Sequence, residues 1–326
     1  MTETQVDTPT RAFLDMLIAL GGPALHDQTV GDARKAVRML SEQVGGTRTE
    51  VHRVTDHRIP VAGGDIAVRV YSPHPLATGE RFPIVMNYHG GGFVAGNLDT
   101  HDGFARYCCT HAGVLVASVD YRLAPEHKFP AAVDDSYAAL CWAVDHAGEL
   151  GGDSARVAVI GDSAGGNLAA VMCQLARAHR GPGIAFQALL YPTLDFGSSM
   201  EYASRHQFGG GDYFLSTRDM DWFMSLYLND VTQEVTDPRA SPLLAGDLTG
   251  LPPALIVTAG CDVLRDEGKA YADRLTAAGV PVEYRCFENT IHAFMSFSAA
   301  IPMGQEALAF VANRLRTALR PVSAAV

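Results

Sequence analysis

The residues that could do chemistry in this chain are a serine, a histidine and an aspartate, together with a run of glycines. Ser163 stands in Gly161-Asp162-Ser163-Ala164-Gly165, between an apolar, β-branched run at 156–160 and a helix-forming run at 166–176. The first run reads as a buried strand. A Gly-x-Ser-x-Gly between strand and helix forces the serine into a sharp turn with its Oγ exposed. Glycines at 161 and 165 leave room that a Cβ would fill. The helix start adds unpaired N–H groups and the positive end of a dipole beside the nucleophile. An idle serine in a glycine-rich turn is the bland alternative, since short motifs match by accident. What decides between them is whether the rest of the chain supplies the partners.

A serine nucleophile needs a base, and the base needs an orienting acid. In open parallel sheets the reacting groups sit past the carboxyl ends of strands. The expected strand at 254–259 is followed by Asp262, and the expected strand at 282–287 by His292. His292 is the histidine that a short loop joins to the last strand, so it is the expected base. Asp262 lies nearest its strand end and is the expected acid. Asp266 reads as the start of the next helix, and Glu288 could serve only if the histidine loop folded back. His89-Gly90-Gly91-Gly92-Phe93 directly follows the expected strand at 83–88. The N–H groups of Gly91 and Gly92, with that of Ala164, are the expected oxyanion donors, unobstructed by side chains. Loss of one such donor typically costs about 3–4 kcal/mol of transition-state stabilisation. Asp162 is expected to hold the elbow by hydrogen bonds, His89 to shape its loop, and 121–126 to be a structural turn around Pro125.

The elements that must position these residues follow from hydrophobic period. Thr8-Pro9 opens a helix with a stripe at Phe13, Leu14, Leu17 and Ile18. A second helix starts at Thr29, with Ala33, Ala36, Val37 and Leu40 on one side and Arg34, Lys35 and Arg38 on the other; Gly45-Gly46 ends it. Strands are expected at 51–54 and 66–71, with a turn at 62–65. Near-continuous apolar runs at 83–88 and 113–119 read as strands buried on both faces, and 186–191 as a further strand. Strand–helix alternation then implies an α/β fold with a mostly parallel central sheet and helices on both faces. The segment 195–237 breaks that alternation. The expected organisation is N-terminal cap helices at 1–50, a first core part at 51–194, a cap insertion at 195–237 and a second core part at 238–326. Phe208, Tyr213, Phe214 and Trp222 are candidates for lining an acyl pocket, with core packing as the other reading.

Composition excludes several classes. With 326 residues the chain can bury a large core, and its net charge of −11 leaves no basic excess for phosphates, so a nucleic-acid partner is not expected. No apolar run is long enough to span a bilayer, and stable membrane insertion is not expected. The start of the chain is polar and acidic rather than signal-like, and the six cysteines lack metal-type pairing, which reads as a reduced, cytoplasmic protein. No metal or other cofactor is expected, because neither His-Glu-x-x-His nor paired Cys-x-x-Cys occurs. A homodimer is left open.

Four stretches carry a specific resemblance. They are 89–93, Asp120-Tyr121-Arg122-Leu123-Ala124-Pro125-Glu126, the 161–166 elbow, and 262–267 before Ile291-His292-Ala293-Phe294. With the order Ser163, Asp262, His292, the chain resembles bacterial carboxylesterases of the hormone-sensitive-lipase family within the α/β-hydrolase fold. The resemblance implies hydrolysis of short- to medium-chain acyl esters, a small-molecule ester substrate, and a helical cap built from the N-terminal helices and an insertion after the sixth core strand. Alanine follows His292 where that family commonly has glycine. An amidase or other acyl hydrolase with the same triad, or a small-molecule receptor on the same fold, are the alternatives; receptors of this shape lack the catalytic histidine.

Overall fold

The computed structural model describes residues 6–46, 48–197 and 201–320. Parts of the expected cap segments, residues 1–5, 47 and 198–200, and the end of the second core part, 321–326, lie outside the described residues. The chain opens with helices α1 (Thr8–Leu20) and α2 (Val30–Val44). The hairpin β1 (Arg53–Val61) and β2 (Gly64–Ser72) follows, then β3 (Phe82–Tyr88), α3 (Asp102–Ala112), β4 (Leu115–Asp120), α4 (Ala131–Asp145) and the one-turn α5 (Ala147–Leu150). Next come β5 (Gly152–Asp162), α6 (Ala164–Ala178) and β6 (Phe186–Leu190). Helices α7 (Ala203–Phe208), α8 (Thr217–Tyr227) and α9 (Val231–Glu234) interrupt the alternation before β7 (Ala254–Cys261), α10 (Arg265–Ala277), β8 (Val282–Ile291) and α11 (Pro302–Ala318).

Local chemistry sets the helix ends. Asp7 accepts from Thr10 N at 2.8 Å to start α1, and Gly21 at φ 66° stops it. Thr29 accepts from Asp32 N at 3.1 Å to start α2, and Gly45 is its C-cap. The charged side of α2 also makes contacts with the core. Arg34 donates to the carbonyls of Val94 at 2.7 Å and Ala124 at 2.9 Å, and pairs with Glu126. That residue docks α2 onto the loop after β3 and the turn after β4.

The eight strands form one sheet in the order β1-β2-β4-β3-β5-β6-β7-β8. From β4 onward the pairs are parallel, while β2 runs antiparallel to both β1 and β4. The first strand runs on to Val61 rather than ending near 54, because the hairpin ladder zips from Arg53 opposite Ser72 down to Val61 opposite Gly64. Side chains alternate between two buried cores, as the two-residue period of a strand requires. Met86, Val159, Leu189 and Ile256 enter one core with α4, α6 and α10. Val85, Ile160, Leu190 and Val257 enter the other with α3 and α11. The central strands are thus covered on both faces, which is why they read as unbroken apolar runs.

β3 and β5 are neighbours, with Tyr88 level with Gly161, so the two glycine-rich turns that follow them leave the sheet side by side. A Cβ on Gly165 would collide with the Tyr88 and His89 carbonyl groups. Gly165→Ala is therefore expected to destabilise the fold by about 3 kcal/mol or more, lowering Tm by roughly 4 °C or more. Thermal unfolding followed by circular dichroism checks this; an unchanged Tm would contradict the close backbone approach.

Candidate active site

Ser163 is the hinge between β5 and α6. Its backbone sits at φ 54°, ψ −118°, a conformation that costs a non-glycine residue about 1–3 kcal/mol. Neighbouring bonds hold it there. Ser163 N donates to Leu190 O at 2.8 Å, while Ser163 O accepts from Asn167 N at 3.1 Å and Thr193 N at 3.2 Å. Asn167 is itself fixed by donating to Thr193 O and Ala240 O. A Cβ on Gly161 would strike the Gly165 carbonyl, so both glycines of the motif are sterically required.

The structure brings the expected partners to this serine. His292 Nε2 lies 3.0 Å from Ser163 Oγ, and His292 Nδ1 lies 2.8 Å from Asp262 Oδ2. A carboxylate only accepts, so Nδ1 carries the proton and Nε2 is left facing the serine hydroxyl. Asp262 is 1% exposed, and its second oxygen accepts from Leu264 N at 3.0 Å. Each hydrogen bond to a charged group at such a site contributes about 1.5–3 kcal/mol. The competing carboxylates go elsewhere. Asp266 accepts from Ser204 N at 2.8 Å and pairs with Arg265, and Glu288 is exposed. The ring of Tyr191 stands edge-on to His292 at 5.1 Å.

The loop after β3 turns through three consecutive residues of positive φ: Gly91 at 117°, Gly92 at 62° and Phe93 at 62°. Gly91 O accepts from both Val94 N and Ala95 N, which closes the turn. Among the described residues, the Gly91 and Gly92 amides donate to no protein acceptor. The Ala164 amide begins α6, where the first N–H groups have no intrahelical acceptor. These three free donors border the serine.

Asp162 ties this loop to the elbow. Its carboxylate accepts from Gly90 N at 2.9 Å and faces His101 Nε2 at 3.2 Å. Burial alone would raise its pKa; His101, His89 and the Gly90 N–H outweigh that and hold it below the usual carboxylate range. His89 meets its expected part: Nδ1 bonds Gly90 O at 2.8 Å, and Tyr121 stacks on the ring while donating to His89 O at 2.7 Å. The 121–126 turn thereby supports the loop.

A cavity of about 140 Å³ opens onto Ser163 and His292. Its walls are Leu25, Val37 and Leu40 from the N-terminal segment, Phe214, Leu215, Met220 and Phe223 from the segment around α8, and Phe297 beyond β8. Of the four aromatic candidates, Phe214 is in the lining. Phe208 is instead buried in the core on the α3 and α11 face, Trp222 packs against the other core, and Tyr213 packs against Phe208. Val37 and Leu40 were visible only as a helix stripe. Met220 and Phe223 carried no signal of their own, because their spacing on α8 fits core packing equally well. Among the described residues no helix is long and apolar enough to cross a membrane, and no group of three or more His, Cys, Asp and Glu is arranged to hold a metal.

A mostly parallel eight-stranded sheet with helices on both faces and a serine turn after its fifth strand defines the α/β-hydrolase class. A family model described as alpha/beta hydrolase fold matches residues 85–296. The chain is 47% identical over 285 residues to the carboxylic ester hydrolase LipN of Mycobacterium tuberculosis, covering 86% of this chain and 74% of that one. It is 46% identical over 246 residues to the carboxylesterase NlhH of the same organism, covering 74% and 75%. Among solved structures it resembles an ester hydrolase from the Lake Arreo metagenome bound to a bipyridine phosphonate derivative, with TM-score 0.90, 44% identity and coverage of 96% and 99%. A thermostable esterase of Pseudomonas putida gives TM-score 0.92, 36% identity and coverage of 98% and 99%. The chain belongs to the α/β-hydrolase family, on the hormone-sensitive-lipase-like branch that its motifs resembled.

Two predictions follow from the local geometry. Ala293, the residue after the histidine, sits at φ 60°, where glycine is free of strain. Ala293→Gly should therefore gain about 1 kcal/mol, or roughly 1–2 °C in Tm, and a lower Tm would contradict the strain. Burial, and then His101, push the His89 imidazole from 6.5 down to about 3. Between those values the unfolded chain binds a proton that the folded one refuses, so this residue's contribution is lost as pH falls through that window. His89→Gln should flatten the stability–pH curve there; urea unfolding of both proteins between about pH 7 and 4 reads it, and parallel curves would contradict it.

Proposed function

We propose that the chain is a serine carboxylesterase that hydrolyses short- to medium-chain acyl esters through an acyl-enzyme. Ser163 Oγ attacks the ester carbonyl carbon while His292 Nε2 takes its proton. Asp262 keeps the imidazole in the tautomer that accepts this proton and stabilises the imidazolium. The carbonyl oxygen becomes an oxyanion held by the N–H groups of Gly91, Gly92 and Ala164. His292 then gives its proton to the departing alcohol. Water, deprotonated by His292, attacks the acyl carbon and releases the carboxylic acid and free Ser163. The observation that carries this reading is the hydrogen-bonded chain Ser163–His292–Asp262 at 3.0 and 2.8 Å beside amides without protein acceptors.

In the same reading, 1–50 and 195–237 form a cap over the core parts 51–194 and 238–326. In its support, both segments wall the cavity around Ser163. His26 of the first segment is bonded to Asp219 of the second, N at 3.2 Å and Nδ1 at 2.7 Å. An apolar cavity of about 140 Å³ suits one dissolved ester with a limited acyl chain rather than an oil surface, which calls for a large exposed apolar area. Hydrolysis of aryl esters of increasing acyl length, run beside Ser163→Ala, tests the proposal. The wild type is expected to show saturable kinetics on soluble short and medium chains, with no rate jump when substrate forms an emulsion. Ser163→Ala is expected to lose at least about 10⁴-fold in kcat. An active Ser163→Ala protein would refute the nucleophile, and sharp activation by emulsified long-chain esters would refute the cap.

A further inference from the structure

Helix α8 carries three residues at four-residue spacing, Asp219, Phe223 and Tyr227, which therefore share one face. The upper one, Asp219, closes the capping box with Ser216 and accepts from His26. The other two address consecutive residues of the loop after β3. The Phe223 ring lies where a Cβ on Gly92 would be, so ring and backbone are in direct contact. The Tyr227 ring stacks face to face on Phe93, centroids 3.9 Å apart and planes 6° from parallel.

This contact falls on the strained part of the loop. Residues 91–93 all have positive φ, and Phe93 is not a glycine. Such a backbone persists only where its surroundings over-determine it. On one side the loop is held by Asp162 and by Phe93 O accepting from Ala124 N at 2.9 Å. On the other side the two rings of α8 press against it. That end of α8 is welded to the core: Phe129 N donates to Tyr227 O at 2.8 Å, and Lys128 Nζ donates to the carbonyls of Leu228 at 2.7 Å and Ser225 at 3.2 Å. Asn229 Nδ2 donates to Phe129 O at 2.7 Å. The Tyr227 hydroxyl is buried and has no hydrogen-bond partner among the described residues. Its place is therefore explained by the ring, not by the polar group.

From this geometry we infer that Phe223 and Tyr227 are positioning residues for the oxyanion donors. They hold the amides of Gly91 and Gly92 in line, and so a helix that walls the substrate cavity also completes the transition-state site. The inference rests on the proposed role of those amides. Phe223 lines the cavity and can touch substrate, whereas Tyr227 does not line it and is fully buried. A kinetic effect at Tyr227 is therefore indirect, carried by the stacked Phe93 at 3.9 Å or by Phe196, a cavity-lining ring 6.1 Å away; an effect carried by Phe93 falls on kcat, and one carried by Phe196 through the cavity wall falls on KM.

The test uses the full chain, a soluble aryl ester, and kcat per active site counted with an organophosphonate. Tyr227→Leu is expected to lower kcat about tenfold or more with KM changed less than about twofold, because small misplacement of catalytic groups is expensive. Tyr227→Phe, which keeps the stacked ring, is expected to restore kcat to within about twofold of wild type, by the same positioning argument. A role in stability alone would lower the yield of folded protein and leave kcat per site unchanged. Should Tyr227→Leu not fold, a cycle between Gly92→Ala and Phe223→Ala decides instead. The two losses are not expected to multiply, since removing the ring makes room for the new methyl. Wild-type kcat in folded Tyr227→Leu, a change confined to KM, or multiplying losses in the cycle would overturn the inference. Activity that survives Ser163→Ala would overturn the underlying reading instead, whatever the α8 variants do.

Discussion

Two backbone turns meet at the carboxyl edge of β3 and β5, bridged by the Asp162 carboxylate, and the site depends on that contact. Gly165 faces the carbonyls of Tyr88 and His89, and Gly90 faces Asp162. A single Cβ at either place would push the turns apart. The charged bond from Gly90 N to Asp162 then locks the approach. Because the loop and the elbow cannot separate, the amides of Gly91, Gly92 and Ala164 stay near one another before any substrate arrives. Preorganised donors of this kind need no rearrangement as charge develops, which is where electrostatic catalysis has its advantage.

The histidine and its acid arrive from the far half of the sheet. Asp262 follows β7 and His292 follows β8; His292 reaches Ser163 across the end of β6, and Asp262 holds His292. The acid loop is braced from outside the sheet. Ser204 of α7 donates to Val263 O at 3.0 Å and to Asp266, while Arg205 pairs at 2.6 Å with the fully buried Glu267. Glu267 also accepts from Leu194 N at 2.6 Å. Removing one partner of such a buried pair typically costs about 3–5 kcal/mol, because the other charge is left uncompensated. The segment that walls the cavity at Ser163 is thus fastened to both sides of it: α7 to the loop that carries Asp262, α8 to the glycine loop.

What was legible in the sequence is what depends on local geometry. The elbow needs glycine at 161 and 165 whatever else the chain does, and the strands around it bury both faces, so their runs stand out. That Asp262 and His292 come together beside Ser163 could be read because in a parallel sheet strand ends share one edge. The order of β3 and β4 in the sheet was not legible, since both are near-continuous apolar runs followed by a helix. Nor was the reach of Arg34 to Val94 and Ala124, which joins residues about 60 and 90 positions apart. The cavity walls were the least visible. Phe208 and Phe214 look alike in sequence, yet the first is buried in the core and the second faces substrate space. Which of them does which is decided by how α7 and α8 dock, a tertiary matter with no periodic signature.

The central claim is that an acyl group passes through Ser163. The most direct measurement is mass spectrometry of the intact enzyme, and of its peptides, acid-quenched within the first turnovers of a slow-deacylating aryl ester. The account predicts one added acyl group per chain, on the peptide that contains Ser163, appearing before steady state and decaying as carboxylic acid is released. Turnover with no covalent intermediate in any phase, or an acyl group carried by another residue, would contradict it.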